Sequence, residues 1–453
     1  GQNHGSVHER EEEEEEDDDD DEVVEEAKYE GDDEEGHMAP IQDAEVKEWS
    51  DFLRVHLHPR SLNEIPIWQD DTYNTFFSGM SKELISSTDF EDLYDNFRFL
   101  LEECDRLTCV DVSVDGSGGA GGFAARMLEE VRDDLGSGVT MPIWLFTDPE
   151  GRENSCENID DKAATIRDCG VPFAYSTFCQ FSSVLIPLDM STFGSRLSSY
   201  GGGTFNTFRS SALAASAIET ALSGNLFDVR TGTTQPAVGG AGSARRTMPL
   251  NNMSAWCDAV THRSNFPVAG LESLMPISSD STKSTDFLGP VGGIRSGVNH
   301  FLVSLSSALS GRFSLKSTNF KSATFKPAQC FTNVIYCRGI SEGLWMKAIE
   351  ARQAEKPFPL SFHETYRAPI PVPLTYPDVG VARGGTFCAI SAVGTGAYLG
   401  EHICSLRDIW LRATSRKASN VLSQFEGLNV EEDQCAEVTE NLTQMSERMQ
   451  ADW

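Results

Sequence analysis

A glycine-rich loop is the part of this sequence whose residues most clearly suggest chemistry. Seven consecutive small residues make up the candidate binding site: Gly116, Ser117, Gly118, Gly119, Ala120, Gly121 and Gly122. A loop of this kind between a strand and a helix lets backbone N–H groups approach an anion, and the helix N-terminus adds partial positive charge. The expected ligand is a phosphate group.

The segments on either side of the loop predict a βαβ unit. Residues 108–114 are rich in β-branched side chains and predict a strand, whereas residues 123–135 carry apolar side chains on one helical face. Residues 143–146 predict a second strand after Pro142. This order implies a parallel sheet with a right-handed crossover.

Two familiar phosphate-binding motifs do not fit completely. Gly116, Gly118 and Gly121 have the spacing of the dinucleotide pattern G-x-G-x-x-G, but residues 140–146 contain no acidic side chain to bind a ribose. The P-loop pattern fails because no Gly-Lys-Ser or Gly-Lys-Thr follows the glycines. From the residues alone, the loop either binds phosphate or forms a tight strand-to-helix turn.

The rest of the chain predicts further elements of an α/β fold. Apolar periodicity predicts helices at residues 89–104, 210–222, 405–413 and about 430–449. Strands are predicted at residues 173–177, 184–188, 333–337 and 386–393. With 453 residues, the chain is long enough for two domains.

The composition excludes several classes of function. A formal net charge of -34 repels nucleic acid and anionic lipid surfaces, so we exclude DNA binding. Because no run of 18 apolar residues occurs, we expect no transmembrane helix and at most peripheral membrane association. The 11 cysteines form no C-x-x-C pair, which favours reduced, buried thiols in the cytosol over a metal or disulfide role.

An acidic segment, residues 1–45, precedes the first apolar cluster. Residues 9–35 hold 20 acidic and 2 basic side chains, which predicts disorder. The segment is either a solvating linker or a region whose negative charge attracts a basic partner. Order is predicted to begin near Val46. His56 and His58 form an H-x-H pair, which we interpret as structural because no acidic or cysteine ligand stands beside it.

Residues 105–135, DRLTCVDVSVDGSGGAGGFAARMLEEVRDDL, resemble the strand, glycine loop and helix of the tubulin and FtsZ superfamily, whose loop reads G-G-G-T-G-[ST]-G. Within that superfamily the chain is most similar to the Misato proteins. Supporting segments are VKEWSDFLRVHLHPRSL at 46–62, FRFLLEECD at 97–105 and VIYCRGIS at 334–341. The first is the most specific, because ordinary tubulins have no counterpart to it.

The resemblance covers roughly residues 46–400 and implies a tubulin-like α/β fold. It implies a Rossmann-like nucleotide-binding-type domain with a core helix at residues 46–225, a second α/β domain at 226–400 and a C-terminal helical region at 401–453. Residues 210–222 fit the core helix. We expect the C-terminal region to pack on the second domain, and a partner-binding helix is the alternative. The superfamily's first glycine loop has no counterpart here, so the N-terminal part of the family fold is expected to be missing from this chain.

Several departures from the family pattern indicate a degenerate GTPase. Ala120 stands where the motif has Thr, and Gly122 takes the Ser/Thr position, so two phosphate-binding hydroxyls are missing. The stretch matching the catalytic loop, residues 239–257, has no acid. Asp258 is the nearest acid and is predicted to lie in the following helix. We therefore assign no catalytic residue and no metal site, and GTP or GDP is the only cofactor that the resemblance allows. The G-G-G-T letters at 201–204 are interpreted as a flexible turn, with base stacking by Tyr200 or Phe205 as the alternative.

The resemblance implies a non-catalytic scaffold in mitochondrial distribution, morphology and inheritance, with a cytoskeletal role. Expected partners are cytoskeletal or mitochondrial-surface proteins and further copies of the chain. The implied location is the cytoplasm, with peripheral association with the mitochondrial outer membrane. The alternative is a GTP-binding, polymerising GTPase of the tubulin/FtsZ type. A Rossmann-type enzyme is a third hypothesis, but it lacks the ribose-binding acid and a catalytic constellation.

Overall fold

The computed structural model describes residues 57–65, 75–81, 84, 86–116, 118–147, 161–190, 207–226, 252–262, 265–274, 291–292, 332–339, 362–366, 369–371, 386–414 and 432–450. All of these residues belong to one compact unit, Pro40–Trp453. The helices are α1 (Phe76–Gly79), α2 (Thr88–Glu102), α3 (Gly119–Leu135), α4 (Asp161–Phe181), α5 (Thr207–Ala221), α6 (Ser223–Leu226), α7 (Met253–Thr261), α8 (Ala397–Thr414) and α9 (Glu432–Gln450).

The strands form two main sheets and one short ribbon. They are β1 (Val112–Asp115), β2 (Pro142–Thr147), β3 (Val184–Asp189), β4 (Gly270–Leu274), β5 (Val291–Gly292), β6 (Val334–Arg338), β7 (Phe362–Tyr366), β8 (Ile370–Pro371), β9 (Thr386–Phe387) and β10 (Ala389–Gly394). The first sheet has the order β1-β2-β3, the second β5-β4-β10-β6-β7, and the ribbon pairs β8 with β9.

The first sheet is parallel, as the βαβ pattern predicts. Val112 pairs with Ile143, and Ile143 pairs with Leu185 in turn. Strand β2 reads PIWLFT because both of its faces are covered. Ile143 packs with α3 and α4 on one face, whereas Trp144 packs toward the second sheet on the other.

The strand predicted at residues 173–177 is wrong, because these residues lie inside α4. Cys169, Phe173 and Tyr175 are buried with Phe178 on the helix. The Gly-Val-Pro sequence at 170–172 suggests a break before an apolar strand. The helix instead continues through Pro172, which lacks a backbone donor and whose ring crowds the preceding turn. The burial of the helix's apolar side chains compensates for this cost.

The strand predicted at residues 386–393 is divided between two sheets. Strand β9 pairs with β8, whereas β10 lies in the centre of the second sheet between β4 and β6. The change of sheet occurs at Cys388, whose thiol donates to the carbonyl of Gly339 at 3.2 Å. Both halves are rich in residues that favour strands, so the sequence pattern does not reveal this division.

Helix α5 confirms the predicted core helix at residues 210–222 and lies in the core that both sheets share. Its alanines, among them Ala214 and Ala217, are fully buried, and small side chains permit close approach to β10. The hydroxyl of Ser391 on β10 donates to the carbonyl of Ala217 at 2.9 Å. Buried Arg338 on β6 forms an ion pair with Glu219 on the same helix.

Among the described residues, the extended segment around Pro267 joins the two sheets. The N–H of Leu185 in β3 donates to the carbonyl of Pro267 at 2.8 Å, and the N–H of Ala269 donates back to Leu185 at 2.9 Å. The chain then continues directly into β4 of the second sheet. The packing of the two sheets is therefore fixed by backbone hydrogen bonds as well as by the apolar core.

The C-terminal helices α8 and α9 pack on α4, so the expectation that they pack on the second domain is wrong. Trp410 of α8 lies against Phe173 with ring centroids 6.0 Å apart. Asn441 of α9 donates to the hydroxyl of Ser176 at 3.0 Å. Their buried side chains belong to the same core cluster as β1, β2 and α3. Apolar periodicity correctly predicts the helices but does not identify the surface that they cover.

Some predictions fall on residues that are not described. The described ranges do not include the acidic segment 1–45, the start of order at Val46, His56, the G-G-G-T letters at 201–204 or the catalytic-loop stretch 239–251.

Cys104 is exposed, so the prediction of buried thiols is wrong at that position. Among the described residues, no helix combines the length and apolar character needed to cross a bilayer.

A pair formed by buried Tyr175 and half-buried His402 generates a pH prediction. The Tyr175 hydroxyl and His402 Nε2 are 2.9 Å apart between α4 and α8, and burial lowers the pKa of His402 to about 4. Because this value is below the unfolded pKa of about 6.5, folding favours the neutral ring, and the stability is full above pH 6.5 and falls toward pH 4. When the pH falls from 7 to 4.5, the free energy of unfolding should decrease by roughly 1–3 kcal/mol less in His402→Gln than in wild type, as measured by urea unfolding.

An equal decrease in the free energy of unfolding of the two proteins would contradict the prediction.

Candidate functional site

The glycine loop begins at the carboxyl edge of the parallel sheet. Strand β1 ends at Asp115, and the N–H of Gly116 donates to the carbonyl of Phe146 at 2.7 Å. A Cβ at Gly116 would lie 2.4 Å from the Cδ1 of Leu145. A side chain at this position would therefore have to displace the Leu145 side chain. Ligands of open α/β sheets bind at this edge.

Helix α3 begins four residues earlier than the predicted Phe123. Gly118 is its N-cap, with φ −120° and ψ −172°, and Gly119 is the first helical residue. Gly118 provides no side-chain oxygen to accept from the first turn. The helix N-terminus thus keeps its partial positive charge and uncapped N–H groups, which are the features that an anion would use.

The glycines of the first turn of α3 are packed against the backbone of α1. A Cβ at Gly122 would lie 1.8 Å from the carbonyl oxygen of Phe76, and one at Gly79 would lie 1.9 Å from the carbonyl oxygen of Gly119. A Cβ at Gly121 would lie 2.5 Å from the oxygen of Asp115. Glycine is unfavourable inside helices by about 1 kcal/mol relative to alanine, so this close packing explains its presence.

Helix α1 is held in this position from both sides. Thr75 and Ser78 form a capping box, in which the Ser78 N–H donates to Thr75 Oγ1 at 3.1 Å. Phe76 and Phe77 are fully buried and contact Phe173, with ring centroids 5.7 and 5.1 Å away. Burial of each phenylalanine contributes roughly 1.5–3 kcal/mol. Helix α1 is therefore a firmly anchored part of the core.

The structure brings most of the predicted site residues into one turn but gives them different environments. Gly116, Gly119, Gly121 and Gly122 are buried, and Gly118 is half-buried. Ala120 is exposed, so the side chain that replaces the family's threonine is a methyl group facing solvent. Ser117 lies outside the described residues.

The charges near this turn are engaged elsewhere in α3. Arg126, the first basic residue of the helix, forms an ion pair with Glu129 at 2.7 Å. Arg132 donates to the carbonyls of Gly136 and Val139 at the far end. Within the described part of the chain, no three His, Cys, Asp or Glu side chains are grouped to hold a metal ion.

Helix α7 contains Asp258, as the sequence predicts. Asn252 caps the helix, and its Oδ1 accepts from the N–H of Ser254 at 2.9 Å. Asp258 is exposed in the second half of the helix, where its carbonyl accepts from the N–H of His262. The carboxylate is therefore well past the start of the helix, where the family's catalytic loop ends.

Helix α1 is the part of the site that sequence reasoning missed. Its signals were present: the Thr75–Ser78 capping spacing, two adjacent phenylalanines and Gly79. Four residues are too short for a helical period to be recognised. The close contact with α3 depends on tertiary packing, which single-sequence patterns do not contain.

This packing predicts a large difference between two glycine substitutions. Gly122→Ala introduces a Cβ into the α1 backbone, whereas Gly138→Ala adds one where no atom lies within 4 Å. We expect Gly122→Ala to destabilise by about 1–3 kcal/mol, despite the better helix propensity of alanine. Gly138→Ala should stay within about 0.5 kcal/mol of wild type. Urea unfolding followed by tryptophan fluorescence measures both, and equal stabilities would disprove the close contact.

One family model matches the N-terminal half of this chain, and several known proteins are similar to parts of it. Residues 38–226 match the family model described as Tubulin domain. Protein DML1 of Gibberella zeae is 32% identical over 192 residues, which cover 40% of this chain and 36% of that protein.

Two vertebrate proteins are also similar to this chain. Protein misato homolog 1 of Danio rerio is 36% identical over 93 residues, covering 20% of this chain and 16% of the relative. Protein misato homolog 1 of Homo sapiens is 30% identical over 154 residues, covering 33% and 25%. The chain thus spans only 16 to 36% of the length of these relatives. With its α/β fold and central helix α5, the chain is similar to the Misato and DML1 proteins over part of its length, and residues 38–226 match the Tubulin domain.

Proposed function

We propose that this chain is a non-catalytic, tubulin-like scaffold in mitochondrial distribution, morphology and inheritance, with a cytoskeletal role. It acts in the cytoplasm with peripheral association with mitochondria, through protein partners on the mitochondrial surface or the cytoskeleton. The observation that carries the proposal is the backbone contact of α1 with the glycine turn of α3, where Gly79 meets Gly119.

The glycine contact favours a structural use of the turn over a phosphate cradle. A cradle needs backbone N–H groups that a phosphate can reach and hydroxyls that donate to its oxygens. Here Gly121 and Gly122 provide space for Asp115 and Phe76. Ala120, the exposed residue of the turn, has no hydroxyl to offer.

The position of Asp258 also supports a non-catalytic role. Hydrolysis of a nucleoside triphosphate requires a group that orients the attacking water. In the family this group is a carboxylate in the loop before the helix that corresponds to α7. Here the cap position is Asn252, and Asp258 follows six residues later on the exposed face.

The alternative is a polymerising GTPase that binds GTP or GDP. It is favoured by one specific observation: the N-cap Gly118 leaves the first turn of α3 without a side-chain cap, at the edge of the sheet where nucleotides bind. A phosphate at this position would be stabilised by the helix dipole.

Complementation in cells tests the proposed role. Depletion of the endogenous protein should disturb the mitochondrial network, and re-expression of wild type should restore it. Because we assign no catalytic task to Asp258, we expect Asp258→Ala to restore the network as well as wild type. The matched control is Asp433→Ala, which removes another exposed carboxylate, from α9.

The outcomes separate the hypotheses clearly. A normal network after depletion would contradict the mitochondrial role. Restoration by wild type and Asp433→Ala but failure of Asp258→Ala, at equal protein levels, would instead support the GTPase.

A further inference from the structure

We draw no further inference here: the strongest candidate, the side-chain cluster of Cys109, Asp111 and Cys257 between the parallel sheet and α7, carries none, because it rests only on the raised pKa of two thiols that burial makes less reactive.

Discussion

Close backbone contact between α1 and the first turn of α3 determines how the parallel sheet is completed at its carboxyl edge. The contact exists because Gly79 and Gly122 lack side chains where a Cβ would lie within 2 Å of a carbonyl oxygen. It holds Phe76 in the core, and Phe76 contacts Phe173 of α4. The turn that resembles a phosphate-binding loop is thereby also a packing surface, and this dual use limits what it can bind.

The alternating side chains of β2 connect this region to the rest of the molecule. Ile143 faces the cluster that α3, α4, α8 and α9 cover, whereas Trp144 faces the cluster around α5. On that second side, Trp144 lies near Trp256 of α7, with ring centroids 6.2 Å apart. A displacement at the glycine turn would therefore affect both clusters. Rigid coupling of this kind suits a scaffold that presents a constant surface to its partners.

The sequence predicts elements with a clear period and misses those defined by tertiary contact. The βαβ unit and the core helix at residues 210–222 are recognisable because their burial leaves a regular apolar pattern. The helical state of Phe173 is not recognisable from the sequence, because a short apolar run has no decisive period and Pro172 suggests a break. The glycine motif predicts a loop, but its use in helix packing depends on α1, which is distant in sequence and too short to show a pattern.

Nucleotide content and GTP turnover of the protein test the non-catalytic assignment most directly. The protein is denatured, the released nucleotides are resolved by chromatography, and phosphate release is followed at several protein concentrations. We expect neither bound guanine nucleotide nor turnover, and Ala120→Thr should not create binding, because the hydroxyl alone does not free the glycines packed on α1. Stoichiometric GTP or GDP with hydrolysis that increases with protein concentration would contradict the assignment and identify a polymerising GTPase.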